Sequence, residues 1–299
     1  MYDAIIVGAR CAGSPTAMLL ARMGYWILLV DKATFPSDTV STHIIWPQGA
    51  EVLDRWGLFE RLAATGCPPV ALQLTFDVGP FALRGSIVDT NAGRGGLCPR
   101  RTILDKLLVD AAADAGVEVR EGFTVVRLVW DDDRVAGVEG HTRHGGTVRE
   151  QARVVIGADG VHSVVAKAVQ PPEYDASPAL TTNYYTYYSG FDADDIEMHP
   201  RDYHAVGCFP THDGLTLIAV LWPSRQFHHV RGDIEHHFLK ALESTPTVAD
   251  RLRTAKREEK WVGTAGVPNY LRRPYGPGWA LAGDAAYDKD PITAQGISD

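Results

Sequence analysis

The sequence predicts an α/β fold that opens with a strand, a glycine turn, a helix and a second strand. The short apolar run Ile5–Val7 indicates a buried strand, and the run Ile27–Val30 indicates another. Gly8 and Gly13 bracket a tight turn between them, and the apolar spacing from Pro15 to Met23 favours a helix. This order of elements is typical of an α/β sheet.

The turn has the features of a dinucleotide-binding site. The exposed amides at the start of the helix face the turn, where a pyrophosphate is favoured. Asp31 follows Gly13 at about the interval, roughly 20 residues, at which an acid takes ribose hydroxyls in such folds. One feature departs from the G-x-G-x-x-G pattern, because Arg10 replaces its middle glycine. The alternative is an ordinary strand-turn-helix in which Asp31 is a solvated strand end.

The length, charge and composition of the chain limit its possible functions. A chain of 299 residues has room for about two domains. The formal net charge of -8 argues against nucleic acid as a partner, since phosphate binding needs a basic surface. The apolar stretch 4–30 is interrupted by glycines and arginines, which excludes a signal peptide or a membrane span.

Cysteine spacing predicts neither a zinc site nor a disulfide framework. The four cysteines lack a C-x-x-C spacing and a flanking histidine pattern. We therefore expect a reducing, cytoplasmic location. These cysteines are Cys11, Cys67, Cys98 and Cys208.

The first half of the chain continues with alternating helices and strands. Helical spacing over 44–62 follows a polar loop, and residues 68–98 alternate as strands do. The apolar face of Arg101–Ala115 predicts a helix, and Val117–Arg120 predicts the next strand.

The second half contains a composition shift. The segments 125–139 and 147–155 are expected to form antiparallel strands joined at Gly145-Gly146, and a helix is expected to end at Val169. After Pro171-Pro172, residues 176–263 bring aromatic-rich strands, a turn at Asp213-Gly214 and a charged helix over 234–256. The shift predicts a second module.

Three separated motifs, taken in order, resemble one family. The chain is similar to flavin-dependent oxidoreductases of the p-hydroxybenzoate hydroxylase type, which include single-component FAD monooxygenases, geranylgeranyl reductases and flavin halogenases. The resemblance spans residues 1–299 and implies FAD as the resident cofactor. The motifs are the turn Gly8 to Gly13, the segment Gly157-Ala-Asp-Gly160 with Ser163, and Gly283-Asp284 followed by Pro291 and Gln295-Gly296.

The resemblance also implies an architecture. It is a Rossmann-like FAD-binding domain of the glutathione reductase type, with an inserted substrate domain built on an antiparallel sheet. The expected boundaries are 1–68, 99–175 and 264–299 for the three parts of the FAD-binding domain, 69–98 for strands at the substrate-domain side, and 176–263 for the substrate domain.

The resemblance implies roles for the acidic and basic residues of these motifs. Asp284 would accept hydrogen bonds from the ribityl hydroxyls, because a carboxylate is a strong acceptor. The Asp159-Gly160 turn would support the pyrophosphate and the nicotinamide cofactor. Arg101, which has the R-x-x-L spacing and is favoured over Arg100, would contact the diphosphate. The alternative for Arg101 is a solvated arginine in the first turn of its helix.

The C-terminal motif resembles a P-x-x-G-Q-G loop beside the isoalloxazine ring, with Ala294 where a glycine is usual. A helix beginning at Gly296 would direct its positive end at the pyrimidine edge of the ring. The resemblance also implies a weaker cofactor contact at the loop Ser41-Thr42-His43, and the alternative is that His43 only caps this loop. The complete set of expected cofactor-binding positions is Gly8, Arg10, Cys11, Ala12, Gly13, Asp31, Lys32, Thr42, Arg101, Val125, Asp159, Gly160, Gly283, Asp284, Pro291, Gln295 and Gly296.

Two other groups of residues receive weaker interpretations. The pairs His228-His229 and His236-His237 are not expected to bind metal, because adjacent histidines point apart and have no partner carboxylate at metal spacing. Of the tyrosines at 184, 185, 187 and 188, we expect one or two to line a cavity and the rest to pack the sheet. No catalytic residue is assigned.

The resemblance implies a reaction. NAD(P)H would reduce FAD, and a flavin C4a-hydroperoxide formed with molecular oxygen would hydroxylate a small organic substrate. The first alternative is reduction of isoprenoid double bonds, and another is a non-catalytic FAD-binding protein. A halogenase is disfavoured, because the W-x-W-x-I-P motif is absent from the sequence. The substrate and the choice between NADH and NADPH stay open.

The C-terminal end carries one further expectation. The resembled family begins a helix near Gly296 and continues, whereas this sequence stops at Asp299. We therefore expect the chain to be a shortened version of a longer one, with weaker flavin binding and exposed apolar surface.

Overall fold

The computed structural model of the protein describes residues 1–70, 72–86, 95–143, 145–193 and 195–299. The helices are α1 (Gly13–Arg22), α2 (Pro47–Arg55), α3 (Phe59–Ala63), α4 (Arg101–Asp114), α5 (Val164–Val169), α6 (Phe227–Gly232), α7 (Ile234–Leu242) and α8 (Pro246–Leu252). The strands are β1 (Tyr2–Val7), β2 (Ile27–Asp31), β3 (Pro69–Val70), β4 (Leu74–Asp77), β5 (Ala82–Gly85), β6 (Gly96–Leu97), β7 (Glu118–Glu121), β8 (Phe123–Asp131), β9 (Arg134–Thr142), β10 (Thr147–Gly157), β11 (Glu173–Ser177), β12 (Thr181–Ser189), β13 (Ile196–Arg201), β14 (His204–Pro210), β15 (Thr216–Pro223), β16 (Lys256–Arg257), β17 (Val262–Thr264), β18 (Asn269–Arg272), β19 (Tyr275–Gly276), β20 (Trp279–Leu281) and β21 (Tyr287–Asp288).

The chain folds into two compact units, each built from three segments. Unit 1 comprises Met1–Thr39, Arg101–Ser177 and Asn269–Lys289, and unit 2 comprises Val40–Arg100, Pro178–Pro268 and Asp290–Asp299.

Unit 2 contains two segments, 40–68 and 290–299, that the sequence analysis placed in the FAD-binding domain. Local pairing explains this difference. The Ile45 amide donates to the Leu97 carbonyl at 2.7 Å, and the Trp46 amide donates to Ser298 Oγ at 3.0 Å. The domain functions attached to the expected boundaries stay predictions.

Unit 1 is built on a parallel sheet with the strand order β20-β10-β1-β2-β7, and β19 is antiparallel at the β20 edge. The strands β8 and β9 form an antiparallel meander with the first residues of β10. In such sheets, ligands bind at the carboxyl ends of the strands. The expected α/β fold class is confirmed.

The core of unit 1 explains why the first residues form these elements. The side chains of Ile5, Leu28 and Val30 are completely buried in the sheet. Pro15 is tolerated in the first turn of α1, because a helix leaves its first amides without internal partners. The hydroxyl of Ser14 donates to the Ala9 carbonyl at 2.9 Å and so fixes the start of α1 against the preceding turn.

Unit 2 is built on an eight-stranded sheet with the order β16-β12-β15-β14-β13-β4-β5, and β17 also pairs with β12. Its strand pairs are antiparallel except β4 with β13. Side chains alternate along β12. Tyr184 and Tyr188 pack with the helical residues Phe238 and Val248, whereas Tyr185 and Tyr187 pack on the opposite face. The expected antiparallel sheet is confirmed.

Three expected elements are interrupted by local backbone conformation. The helix expected over 44–62 is two helices, α2 and α3, because Gly57 has a φ of 77° between them. The helix expected over 234–256 is α7 and α8, because Pro246 starts a new helix. The strand expected over 125–139 is the hairpin β8–β9, which turns at Asp132 with a φ of 50°.

Other local expectations agree with the structure. Asp213 and Gly214 both have positive φ in the turn between β14 and β15, and Gly145 and Gly146 do so after β9. The strands expected in 68–98 include β3 to β6, whereas residues 71 and 87–94 lie outside the described part of the chain. Among the helices described, none combines the length and apolarity needed to cross a bilayer.

A chain of ion pairs joins three segments of unit 2. His199 is completely buried between two carboxylates, with Nδ1 3.1 Å from Asp77 and Nε2 3.2 Å from Glu197. Two guanidinium groups complete the chain. Arg201 lies 3.0 Å from Asp77, and Arg251 places both Nη atoms 2.6 Å from Glu197. Burial raises the pKa of Glu197, but Arg251 and His199 lower it more, to about 2.

We expect the variant Glu197→Gln to lose stability in a pH-dependent manner. A fall of the Glu197 pKa from 4.5 to about 2 corresponds to about 3 kcal/mol of stabilisation, at roughly 1.4 kcal/mol per pH unit. Because the folded pKa is lowered, this stabilisation is present above pH 4.5 and is lost as the pH falls toward 2. The measurement is the free energy of unfolding of both proteins in urea at pH 7, 4 and 2.5.

The control for this prediction is Glu258→Gln, which removes an exposed ion pair with Lys256 and should change stability little. A difference between wild type and Glu197→Gln that stays constant down to pH 2.5 would contradict the prediction.

Candidate functional site

Three loops of unit 1 meet backbone to backbone at the carboxyl ends of β1, β10 and β20. Gly8 has a φ of 105°, and a Cβ there would lie 2.3 Å from the Ala158 carbonyl oxygen. A Cβ on Gly13 would lie 1.7 Å from the Gly8 carbonyl oxygen, and one on Gly283 would lie 2.7 Å from Ala12 Cβ. These separations allow only glycine at the three positions without movement of the backbone.

Asp31, at the end of β2, is hydrogen-bonded to the same turn. Its Oδ2 accepts from the Ala9 amide at 2.7 Å, and its Oδ1 accepts from the Ala33 amide at 2.8 Å. Each carboxylate oxygen can accept a further hydrogen bond. Asp31 therefore fixes the glycine turn and keeps the capacity to bind hydroxyls.

The side chain of Arg10, which replaces the middle glycine of the motif, is held by residues outside the turn. Its guanidinium pairs with Asp105 on α4 and donates to Ser37 Oγ at 2.9 Å. Asp105 is completely buried and also receives Nε and Nη2 of Arg101, at 3.1 and 2.9 Å. One buried carboxylate therefore pairs with two guanidinium groups, so this cluster of three groups carries one unbalanced positive charge.

The ion pair with Asp105 holds the buried side chain of Arg101 in place. Burial lowers the pKa of Arg101, but the neighbouring carboxylates of Asp105 and Asp284 raise it by more, so the guanidinium stays charged. Nη1 takes no part in the pair with Asp105. Cys11 donates its thiol to Asp105 at 3.5 Å, and burial raises the Cys11 pKa to about 12, so this thiol is protonated at neutral pH.

The Asp159-Gly160 turn follows β10 and starts α5. Asp159 Oδ2 accepts from the Val164 amide at 2.7 Å, whereas Oδ1 is buried and has no hydrogen-bond partner among the described residues. Burial raises the pKa of Asp159, and the hydrogen bond from the Val164 amide opposes this rise. A buried acceptor without a donor costs about 1–3 kcal/mol, which points to a donor supplied by a ligand or water.

Two further features complete unit 1. The side chain of Asp284 is exposed, and the backbone carbonyl of Asp284 accepts a hydrogen bond from the Tyr270 hydroxyl at 2.6 Å. A pocket of about 500 Å³ is formed in part by the residues that directly follow Asp31 in the chain. Thr124 of β8 lines this pocket, and the side chain of the next residue, Val125, is buried. The pocket is lined in part by Lys32, Thr34, Ser37, Thr124, His141 and Arg143.

The C-terminal motif lies in unit 2. Asp290 is 8% exposed, and its carboxylate accepts from the Thr181 amide at 2.9 Å and from the Ile292 amide at 3.1 Å. Ala294 has a φ of 52°, the left-handed conformation that favours glycine. After Gln295 the described residues form a turn in which the amides of residues 298 and 299 donate to the Gln295 carbonyl.

The loop 41–43 packs on β12 in unit 2. The Ser41 amide donates to the Tyr185 hydroxyl at 3.2 Å, and His43 Nε2 is hydrogen-bonded to the Tyr187 hydroxyl. The ring of Tyr187 also has the guanidinium of Arg100 3.9 Å from its centroid. Arg100, the less favoured arginine in the sequence analysis, thus contacts an aromatic face in unit 2, whereas Arg101 belongs to the ion-pair cluster of unit 1.

The structure groups most of the expected positions around the glycine turn. Lys32 lines the pocket that follows β2, whereas Val125 is buried in the hydrophobic core of unit 1. The residues that sequence reasoning missed are Asp105 and Asp290, and the only available signal for Asp105 was its spacing of four from Arg101 on a helix. The positions linked by contacts in unit 1 are Gly8, Arg10, Cys11, Ala12, Gly13, Asp31, Arg101, Asp159, Gly160, Gly283 and Asp284, whereas Thr42, Pro291, Gln295 and Gly296 belong to unit 2.

The residues of unit 1 fit a flavin dinucleotide. The glycine turn provides close backbone approach, the N-terminus of α1 provides the positive end of a helix dipole, and the arginine pair provides positive charge for a pyrophosphate. Asp31 and Asp284 provide carboxylate acceptors for hydroxyl groups. The unpartnered Oδ1 of Asp159 provides a further acceptor.

Comparison with known proteins agrees with this fit. The family described as FAD binding domain matches residues 1–298. This chain belongs to that family. It is therefore an FAD-binding protein of the p-hydroxybenzoate hydroxylase type, within the FAD-dependent oxidoreductases.

One relative in sequence is digeranylgeranylglycerophospholipid reductase 2 of Methanopyrus kandleri, which is 28% identical over 99% of this chain and 73% of the relative. The myxobacterial chondrochloren halogenase CndH has a similar structure, with a TM-score of 0.90 at 21% identity over 99% of this chain and 71% of that one. PqsL of P. aeruginosa, in complex with 2-aminobenzoylacetate, has a TM-score of 0.82 at 19% identity over 99% of this chain and 82% of that one.

We expect the variant Gly13→Ala to lose FAD. The added Cβ would lie 1.7 Å from the Gly8 carbonyl oxygen, and only backbone movement can relieve this overlap. The measurement is the ratio of flavin to protein absorbance after purification and after titration with FAD. Gly232→Ala is the control, because nothing lies within 4 Å of its Cβ position. Normal FAD content in Gly13→Ala would show that the turn is not the binding element.

Proposed function

We propose that the protein is an NAD(P)H-dependent monooxygenase that inserts one oxygen atom of O2 into a small, polar organic molecule. The observation that carries the choice of substrate class is the polar and aromatic face of β12 in unit 2. On this face, Tyr185 and Tyr187 hold hydrogen bonds to the loop 41–43 while packed in an otherwise apolar cluster. The 2-aminobenzoylacetate bound by PqsL is a molecule of this class and supports the proposal.

The glycine turn and the start of α1 bind the pyrophosphate in this proposal. The N-terminus of α1 carries the positive end of the helix dipole, although the amides of Ser14 and Thr16 already donate to the Arg10 and Ala12 carbonyls. Arg101 adds charge through Nη1, since its other nitrogens are held by Asp105. The Arg10 side chain is held by the same carboxylate and leaves the phosphates accessible to the backbone.

Two carboxylates orient the rest of the cofactor. Asp31 accepts hydrogen bonds from ribose hydroxyls while it holds the Ala9 amide. Asp284, exposed after β20, accepts from the ribityl hydroxyls. FAD, when bound, supplies the two-electron redox chemistry, and the chain supplies orientation, electrostatics and exclusion of water.

A proton-holding pair lies in unit 2. The Tyr187 hydroxyl and His43 Nε2 share a hydrogen bond, and both residues are at most 1% exposed. The Arg100 guanidinium lies over the Tyr187 ring, where a cation is attracted by the ring face, and this contact helps to hold the ring in place. This pair is suited to keep a proton at the Tyr187 oxygen away from bulk water.

A second candidate function is the reduction of isoprenoid double bonds. It is favoured by the similarity to the Methanopyrus kandleri relative, a digeranylgeranylglycerophospholipid reductase. The hydrogen-bonding groups on the β12 face are of little use to a hydrocarbon chain, and for that reason we rank it second.

The test separates these functions by their use of oxygen. Purified protein with FAD is given NADPH or NADH and a panel of phenols, hydroxybenzoates and 2-aminobenzoylacetate under 18O2. We expect at least one compound to stimulate NAD(P)H oxidation and to gain one 18O atom. Anaerobic reduction of geranylgeranyl substrates, with no oxygen incorporation in the panel, would instead establish the second candidate.

We expect Asp31→Ala and Asp284→Ala each to weaken FAD binding by roughly 1 to 3 kcal/mol, the range for losing a hydrogen-bonded charged partner. Titration of apoprotein with FAD measures the effect. Asp133→Ala, at an exposed position, is the control and should leave the affinity unchanged. Wild-type affinity in both variants would remove the roles assigned to these carboxylates.

A further inference from the structure

Asn183 on β12 has a buried side chain whose carboxamide oxygen takes no hydrogen bond within the described chain. The residue is 5% exposed, and its Oδ1 has no hydrogen-bond partner among the described residues. A buried amide oxygen without a donor is unfavourable, because it has lost water and gained nothing in exchange. Such an atom in a folded protein calls for a specific explanation.

The neighbouring polar side chains of β12 make the contrast clear. The Thr181 hydroxyl donates to Asp290 at 2.9 Å, the Thr182 hydroxyl to the Thr264 carbonyl at 2.6 Å, and the Thr186 hydroxyl to the Glu259 carbonyl at 2.8 Å. These buried or half-buried hydroxyls are all satisfied within unit 2. The strand therefore provides partners for its polar residues where the fold needs them.

The position of Asn183 on the strand shows which face it occupies. Alternation along β12 places Asn183 on the face of Tyr185 and Tyr187. Its cross-strand partner Leu221 belongs to the apolar cluster of that face. Ala294, from the Pro291–Gly296 loop, packs against the same cluster.

Thr181, two residues before Asn183, holds this loop through Asp290. Tyr185, two residues after Asn183, holds the loop 41–43. The unused oxygen of Asn183 thus lies between the attachment points of the two unit 2 segments that carry expected cofactor contacts.

We propose that Asn183 is a substrate-binding residue whose carboxamide oxygen accepts a hydrogen bond from an O–H or N–H group of the organic substrate. The inference rests on the proposed function for the existence of a small organic substrate, and it narrows the class to molecules with a hydrogen-bond donor. In an apolar cluster, a single acceptor selects strongly for a ligand that donates to it, because a ligand without a donor leaves the oxygen unpaired.

The decisive variant is Asn183→Leu, which replaces the amide by an apolar group of similar volume. Without substrate, the FAD-loaded variant should have a Tm equal to or above that of wild type, since an unpaired buried acceptor is removed. The matched control is Thr182→Val on the opposite face of the same strand, which loses a satisfied hydrogen bond and should lower the Tm. A Tm of Asn183→Leu as low as that of Thr182→Val would show a structural role and overturn the inference.

The second readout is ligand binding, measured as the rise in Tm and as the KM for stimulated NAD(P)H oxidation. The probes are hydroxybenzenes, hydroxybenzoates and 2-aminobenzoylacetate, each beside its O- or N-methylated analogue. We expect wild type and Thr182→Val to prefer the donor-bearing member of a pair by about tenfold or more, and Asn183→Leu to lose this preference.

The outcomes separate this inference from the proposed function. A ligand that binds through Asn183 without gaining oxygen supports the inference and contradicts the monooxygenase proposal. A compound that gains oxygen with the same KM in wild type and Asn183→Leu shows that Asn183 holds at most a buried water, and overturns the inference alone. Absence of any preference for the donor-bearing probes in wild type also overturns it.

Discussion

Close backbone packing of three loops in unit 1 determines what else that unit can contain. Gly8 and Gly13 pack so closely against neighbouring backbone, and Gly283 against Ala12, that none of them has room for a Cβ. The chain segments after β1, β10 and β20 therefore have essentially one relative arrangement. Asp31 adds a hydrogen bond that fixes the turn to β2. Because this arrangement is imposed by contact, the amides of α1 and the exposed Asp284 occupy fixed positions without help from a ligand. Preorganisation of this kind reduces the entropic cost of binding.

The same packing explains how an arginine can replace a glycine in the fingerprint. At Arg10, the requirement is that no side chain obstruct the phosphates, and a glycine is only the simplest solution. Here the side chain is tied to Asp105, a carboxylate whose burial would be costly alone. Arg101 compensates the same carboxylate from within α4. The departure in sequence and the buried acid on a distant helix are therefore two parts of one arrangement.

The sequence predicted much of the fold, because periodicity and glycine spacing are local signals. The strand-turn-helix opening, α4 and the antiparallel sheet of unit 2 follow from such patterns. The prediction of one continuous helix over 44–62 and another over 234–256 was wrong, because apolar spacing persists across a break made by Gly57 or Pro246. The pairings of Asp105 with Arg10, and of Asp290 with Thr181, join residues about 95 and 109 positions apart and leave no local signal.

Alternation along β12 shows why the aromatic run 184–188 could not be interpreted from sequence alone. A strand presents successive side chains to opposite faces, and only tertiary packing decides what each face meets. Here one face meets helices and is filled by Tyr184 and Tyr188, whereas the other carries Asn183 and Tyr185 among apolar neighbours. Composition treats these tyrosines as equivalent, but their surroundings differ. The polar groups that matter on such a strand are those that the fold buries and does not satisfy, since folding alone gives no reason to retain them.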